Sequence, residues 1–319
     1  MTQKVNPNQN PKLIALVGPT ASGKTDLSLK LAKRFKGVIL SADSRQLYQH
    51  AHIGTNQPIG QWRTANKAWQ KNIGQQKIYL VQGIPHFFID ELSPNKSYSA
   101  ALFQKKANRL ISKISRLGYL PILVGGTGLY ISAITQSYLF PKAKKSTKLR
   151  HQLDKLNTSQ LNKKLKKLDP ATYKIIDQLN RRRLIRALEY VLLTGQSFQK
   201  SQNQKIRPHT LILGLNPTLP KLEKQITKRT KQMIKKGLIK ETKYLLRHYP
   251  SSVLLNTIGY KETVAYLKKQ LTLNQVTNLI SLHTRQYAKR QLTWFKKMLD
   301  ITWLNHPNQA LKITKTFIT

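Results

Sequence analysis

The sequence predicts an α/β fold, a parallel sheet flanked by helices, with a mostly helical insertion domain. Two patterns and one motif predict it. Over the first 140 residues, short continuous apolar runs alternate with amphipathic ones, the pattern of strands joined by crossover helices. The first run, LIALV (13–17), leads through GPTASGKT directly into a helical pattern, which makes the sheet P-loop NTPase-like. From about Pro141 the texture changes to apolar residues three and four apart among many lysines, the period of helices.

Each element follows in order. Strands are expected at LIALV (13–17), VILSA (38–42), HFFID (86–90) and PILVG (121–125), with the clearest early helices at Thr25 to Phe35 and Ala100 to Leu117. In the insertion, Asp169-Pro170 opens a helix and Gly195 closes the last one, proline being tolerated in a first turn and glycine favoured past an end. QSFQKSQNQKIRP reads as a polar connector. TLILGLNP returns to the sheet, long helices run from Pro220 to Tyr249 and from Tyr260 to Met298, and ITWL is a last strand. The expected division is a P-loop α/β core over 1–140, a helical insertion over 141–205 and a return to the core over 206–319. MTQKVNPNQNP reads as a short disordered arm.

Composition narrows the function. The chain has 319 residues, 39% of them hydrophobic, enough for a packed core. No stretch approaches the roughly 20 apolar residues of a membrane span. Cysteine is absent, which excludes disulfides and thiolate metal sites. A cytoplasmic monomer is the default expectation. The charge is unusual: 56 Lys and Arg against 12 Asp and Glu, net +44. Residues 1–140 hold 18 basic and 4 acidic residues, and residues 141–319 hold 38 and 8. Such an excess is either a bias of the source proteome or the footprint of a polyanionic partner. A basic second half beside a phosphate-binding first half favours nucleic acid.

Gly18-Pro19-Thr20-Ala21-Ser22-Gly23-Lys24-Thr25 fits G-x-x-x-x-G-K-[ST] at every defined position. Glycines there let backbone N–H groups face phosphate oxygens, and the helix N-terminus adds positive potential. Lys24 is expected to reach the terminal phosphate and the Thr25 hydroxyl to ligate Mg²⁺. Asp43, just past the second strand, is a candidate base, metal ligand or helix cap; its place at a strand's carboxyl end favours chemistry. Asp90-Glu91 after four apolar residues could hold Mg²⁺ in an ATPase, or simply end a strand. Gly125-Gly126-Thr127-Gly128 would bring backbone close to a ligand, or make an ordinary turn. Arg181, Arg182, Arg183 and Arg186 are a phosphate grip or a solvated face. Arg229 lies four residues before Met233 on one helix, and with acids so scarce a bound phosphate is its expected partner. The eight histidines show no metal-ligand spacing. These residues leave open a nucleotide kinase, an ATP-binding motor on nucleic acid, or a transferase of the non-phosphate part of its ligand.

The ordered set of segments resembles the tRNA dimethylallyltransferase (tRNA isopentenyltransferase) family. GPTASGKT is followed by SADSRQLY, HIGTNQP, D-x-x-x-P with SYS, PILVGGTGLY, RRRLIRALE, RTKQMIKKGL, IGYKE and TRQYAKRQLTWF. The resemblance implies that the phosphate loop holds dimethylallyl diphosphate and that the carbon chain is what moves. The acceptor would be the exocyclic amine of the adenosine 3′ of the anticodon (position 37), in tRNAs reading codons that begin with U. It implies Asp43 as general base, Arg229 on the diphosphate and Thr25 near Mg²⁺. It also implies contacts to the tRNA anticodon stem-loop from Asp43, Ser44, Arg45, Gln46, Thr127, Arg150, Arg182 to Arg186, and Asn256 to Lys261, the latter including Gly259 and Tyr260. The insertion would clamp one side of the stem. Two departures stand out: His52 where the family commonly has Asp, and Leu179-Asn180 where it has Asn-Asp or Asn-Asn.

Overall fold

A computed structural model describes residues 11–136, 138, 140, 146–199 and 206–319. The N-terminal arm, the start of the expected insertion at 141–145 and part of the connector lie outside the described residues. The chain divides into two compact units, Met1–Thr135 with Ile206–Thr319, and Gln136–Lys205. The second unit begins directly after a helix that ends at Thr135, ahead of the composition change at Pro141.

The first unit is built on one eight-stranded sheet. In chain order its elements are β1 (Leu13–Val17), α1 (Lys24–Arg34), β2 (Gly37–Ser41), β3 (Gln61–Thr64), α2 (Lys67–Ile73), β4 (Lys77–Val81), β5 (Ile84–Phe87), α3 (Ala100–Arg116), β6 (Leu120–Gly125) and α4 (Gly128–Thr135). The second unit contributes α5 (Thr147–Asp154), α6 (Thr158–Leu168), α7 (Pro170–Ile175) and α8 (Arg181–Thr194). The first unit resumes with β7 (Thr210–Leu215), α9 (Leu219–Lys235), α10 (Leu238–His248), α11 (Tyr260–Leu267), α12 (Leu273–Lys296), β8 (Ile301–Leu304) and α13 (Gln309–Ile318).

The strand order is β3-β4-β5-β2-β6-β1-β7-β8. From β5 to β8 every pair is parallel, and β3 and β4 extend one edge antiparallel. β1 is central, with Ile14 beside Ile122 on one side and Leu211 on the other. Alternate residues of β1 feed two cores. Leu13, Ala15 and Val17 pack with α3, α4 and Phe295, while Ile14 and Leu16 pack with α1 and Ala310, as the two-residue period of a strand requires.

Several expected elements are shifted. The run HFFID leaves the sheet early: β5 ends at Phe87, and Phe88 and Asp90 take left-handed φ values of 61° and 53°. The helix expected from Pro220 to Tyr249 is two, broken at Gly237 with φ 103°. That expected from Tyr260 to Met298 is also two, because Thr272 and Gln275 form a capping box that starts α12 afresh. Neutral side chains do most of the capping in this acid-poor chain: Asn66, Ser99, Ser146, Asn157, Asn180 and Thr272 each accept from a first-turn N–H. Among the described residues, no helix is long and apolar enough to cross a membrane.

In the second unit α5 to α8 pack around Leu153, Leu161, Leu165, Leu184 and Leu188. Asp169 caps α7, with Pro170 in its first turn, and Gly195 ends α8 at φ 66°.

Candidate active site

The strand-to-helix turn after β1 is shaped by its glycines. Gly18 has φ 145° and lies so close to β7 that a Cβ there would meet the Leu215 carbonyl oxygen at 2.6 Å. Gly23 is left-handed at φ 87° and starts α1 without any side-chain cap, so first-turn N–H groups remain for a ligand. Lys24 folds back onto the loop, its Nζ donating to the Pro19 carbonyl and, at 3.4 Å, to Ser22 Oγ. Burial pulls the Lys24 ammonium down to about 7, with Asp43 opposing that shift and Arg229 reinforcing it.

This loop walls a cavity of about 450 Å³ whose lining includes Thr20 to Asp26, Asp43, Gln46, Gln57, Arg229, Tyr287 and Gln291. A second cavity of about 310 Å³ adjoins it, lined by Ser44, Arg45, Thr127, Asn256, Thr257, Ile258, Met233, Ile280 and Thr284. Five residues line both: Thr20, Asp43, Thr55, Arg229 and Tyr287. Arg229 is half-buried and has no ion pair among the described residues. Burial lowers the affinity of its guanidinium for the proton, and Asp43 partly restores it.

Asp43 accepts the Arg45 N–H at 2.9 Å through Oδ1, fixing a turn. No helix follows it, so the helix-cap role is excluded. Its other oxygen has no hydrogen bond among the described residues. The turn is tied to the next strand end: Ser44 N–H donates to Thr127 Oγ1 at 3.1 Å, and Thr127 N–H donates to the Ala42 carbonyl at 3.2 Å. Gln46 accepts from Ser41 Oγ and donates to the Asn56 carbonyl at 3.2 Å, holding the 55–57 segment at the cavity wall. The backbone approach allowed by Gly125 is to Ala42, whose carbonyl oxygen would lie 2.3 Å from a Cβ, and that of Gly126 is to Gln291.

The segment TRQYAKRQLTWF carries two site residues that no local pattern singles out. Buried Gln291 accepts from Thr20 N–H at 2.8 Å and donates to the Gly126 carbonyl at 2.8 Å, so it fastens the phosphate loop to the turn after β6. Tyr287, one helical turn earlier, lines both cavities. Glu241 was missed too: its carboxylate accepts three consecutive backbone N–H groups, His52, Ile53 and Gly54, and the Tyr260 hydroxyl at 2.7 Å. A polar residue whose partners are backbone amides 187–189 positions away leaves no local signal.

Three expected site segments have a different setting in the structure. Asp90 and Glu91 do not line the phosphate cavity. Asp90 accepts from His52 Nε2 at 2.7 Å and Trp62 Nε1 at 3.1 Å, and buried Glu91 accepts the Phe88 N–H at 2.7 Å. The ATPase constellation is therefore not assembled, and His52, the family departure, is the partner of an acid. Tyr260 is fully buried and Gly259 is buried, so neither side of that dipeptide offers a surface contact, whereas Asn256 and Lys261 are exposed. Arg150 is committed within the second unit: its Nε and Nη2 donate to Glu189 at 2.8 and 2.7 Å, and Arg186 joins them at 2.7 Å. Arg182 and Arg183 are exposed on α8, where Asn180 is the N-cap.

The phosphate loop, the acid and the arginine thus stand on one wall. The IPP transferase family model matches residues 46–298. The chain belongs to the IPP transferase family. It is 42% identical over 306 residues to a tRNA dimethylallyltransferase of Halothermothrix orenii, covering 93% of this chain and 88% of that one. A Staphylococcus epidermidis tRNA dimethylallyltransferase is 37% identical, with 97% and 91% covered. Among solved structures, a Bacillus halodurans tRNA isopentenylpyrophosphate transferase superposes with TM-score 0.67 at 35% identity, covering 97% of this chain and 95% of that one. A eukaryotic dimethylallyltransferase acting on tRNA gives TM-score 0.80 at 27% identity, covering 97% and 79%.

Proposed function

We propose that this IPP transferase moves the dimethylallyl group of dimethylallyl diphosphate onto the exocyclic amine of adenosine 37, 3′ of the anticodon, in tRNAs reading codons that begin with U. The products are N⁶-dimethylallyladenosine and diphosphate. One observation carries the reading: Asp43 and Arg229 stand on the wall shared by a phosphate-loop cavity and a second cavity. A leaving group on one side and a nucleophile on the other would react across that wall.

The chemistry suits these side chains. The adenine amine is a weak nucleophile, because its lone pair is delocalised into the ring. The Asp43 oxygen left without a hydrogen bond accepts the amine proton as the C–N bond forms. Lys24, the loop N–H groups and Arg229 balance the charge that grows on diphosphate as the C–O bond breaks. The target base leaves the anticodon-loop stack to enter the second cavity, as enzymes acting on a base require. Arg45, Asn256, Lys261, Arg182 and Arg183 are the cationic and polar side chains offered to the RNA backbone.

The donor set fits a Mg²⁺ that arrives with its phosphate ligand. The Thr25 hydroxyl lines the cavity and makes no hydrogen bond among the described residues, where no cluster of three acid or histidine ligands occurs either. One protein oxygen plus phosphate oxygens and waters is a common Mg²⁺ set. The ion would supply further charge neutralisation at the diphosphate. We take the protein to be a cytoplasmic monomer by default, and sedimentation of the purified chain tests the oligomeric state.

The test is a split reaction with purified protein, Mg²⁺ and unmodified tRNA, one half given dimethylallyl diphosphate and the other ATP. Nucleosides are analysed by mass spectrometry and phosphate release is followed. Dimethylallyladenosine without ATP hydrolysis is expected, with Asp43→Ala abolishing transfer but retaining diphosphate and tRNA binding. No prenylated nucleoside, with tRNA-stimulated phosphate release, would overturn the proposal.

A further inference from the structure

The wall between the cavities holds five residues, and prenyl transfer gives chemical roles to two of them. Asp43 takes the proton and Arg229 holds the leaving group. Thr20 has its N–H bonded to Gln291, and the Thr55 hydroxyl is bonded to the Ala51 carbonyl. Tyr287 remains. It stands on the 24-residue α12, in line with Ile280, Thr284 and Gln291, which also line the cavities. A regular helix anchored through Gln291 gives its ring a fixed position.

The reaction creates a need at that position. As the C–O bond lengthens, its electron pair goes to the diphosphate and the allylic carbon becomes partly positive. That charge persists until the amine lone pair forms the C–N bond and Asp43 receives the proton. The wall already holds the Arg229 cation, which repels a second positive centre. Water reaching the carbon would capture it as dimethylallyl alcohol. An aromatic ring answers both problems, because its face attracts cations and its bulk excludes solvent. The Tyr287 hydroxyl is pushed up to about 12 by burial and by nearby Asp43, so it stays neutral.

We propose that Tyr287 is a further catalytic residue: its ring faces the allylic carbon where the two cavities meet, stabilises the charge there and keeps water away. This assignment rests on the prenyl-transfer reading above. Tyr287→Phe keeps the ring and should transfer within about threefold of the parent. Tyr287→Leu should lower kcat by about 3- to 30-fold, the range of a cation–π contact, and raise the share of substrate lost as dimethylallyl alcohol. Affinity for inorganic diphosphate should be unchanged in both.

The discriminating series places phenylalanine carrying one, two or three ring fluorines at position 287. Shape is nearly constant while electron density on the ring face falls, so kcat should fall with each fluorine. A merely structural role would leave the series flat. A flat series overturns the proposal, as does a Phe variant damaged as much as the Leu variant, which would move the role to the hydroxyl. If the parent protein makes no prenylated nucleoside, the functional reading itself fails. A parent that transfers normally with a flat fluorine series removes Tyr287 alone.

Discussion

Arg229 in the α/β unit and Arg150 in the helical unit carry the same guanidinium into opposite settings. Arg150 meets Glu189 through two hydrogen bonds, with Arg186 as a second donor to that buried carboxylate. Burial alone would raise the Glu189 carboxyl, but those hydrogen bonds and the Ser146 N–H bring it below its usual value. Arg229 has no such partner and lines a cavity beside the phosphate loop. In a chain with 12 acids, where a carboxylate is spent separates cations that hold the fold from one left for a ligand.

The comparison can be broken experimentally. The largest effect is expected from Arg229→Gln, which should lower kcat by roughly 10²–10³, the cost of removing one donor from a developing anion, while the melting temperature stays close to the parent's. A large loss of stability without loss of kcat would make Arg229 structural.

Glu189→Gln should do the reverse. Breaking a buried ion pair costs about 3–5 kcal/mol; because both arginines keep water contact, a smaller loss of about 2–3 kcal/mol is expected. Denaturant unfolding measures it, and diphosphate binding should not change. The sign with pH follows from the depressed carboxyl. Its stabilisation is present above the unfolded pKa of about 4.5 and is lost as pH falls through the lower folded value. Equal stability of parent and variant at neutral pH would refute this role.

Lys24 gives a third, milder effect. Its ammonium is down at about 7 in the free protein, and diphosphate favours the protonated form. Affinity for inorganic diphosphate should therefore weaken as pH rises above 7, by up to about tenfold per unit. Titration calorimetry measures it, with Lys24→Arg, which keeps its charge, reporting the ligand's own profile. A parent curve parallel to that of the variant would remove Lys24 from the effect. The smallest change is expected from Asp90→Asn, which should leave kcat within about twofold because a site away from the cavity behaves like surface. A large loss would return Asp90 to the mechanism.

What the sequence revealed depended on whether partners were local. The phosphate loop, Asp43 and the strands around them were legible, since a buried strand followed by Gly-x-x-x-x-Gly-Lys-Thr is a contiguous signal. β3 was not, because Gln61–Thr64 is exposed throughout and forms the sheet's edge, so it carries no apolar alternation. HFFID misled in the other direction: its apolar run continues through Phe88 and Ile89 after the backbone has left the strand. Both residues are buried in a turn, and burial without a strand looks the same in sequence. The motif IGYKE is legible, but not that the Tyr260 side chain is buried and donates to Glu241, since motif position does not tell which way a side chain points.

The Gln291 bridge also has a consequence for biosynthesis. Chains are made from the N-terminus onward, at about 5–20 residues per second, so the phosphate loop emerges well before α12. Its Thr20 N–H waits for a side chain 271 residues downstream. Until α12 has been made the nascent chain therefore carries the loop's sequence without its fastening, and only when α12 docks do the loop and the turn after β6 share an anchor. The site that the phosphate-loop motif announces is completed only after a helix made much later.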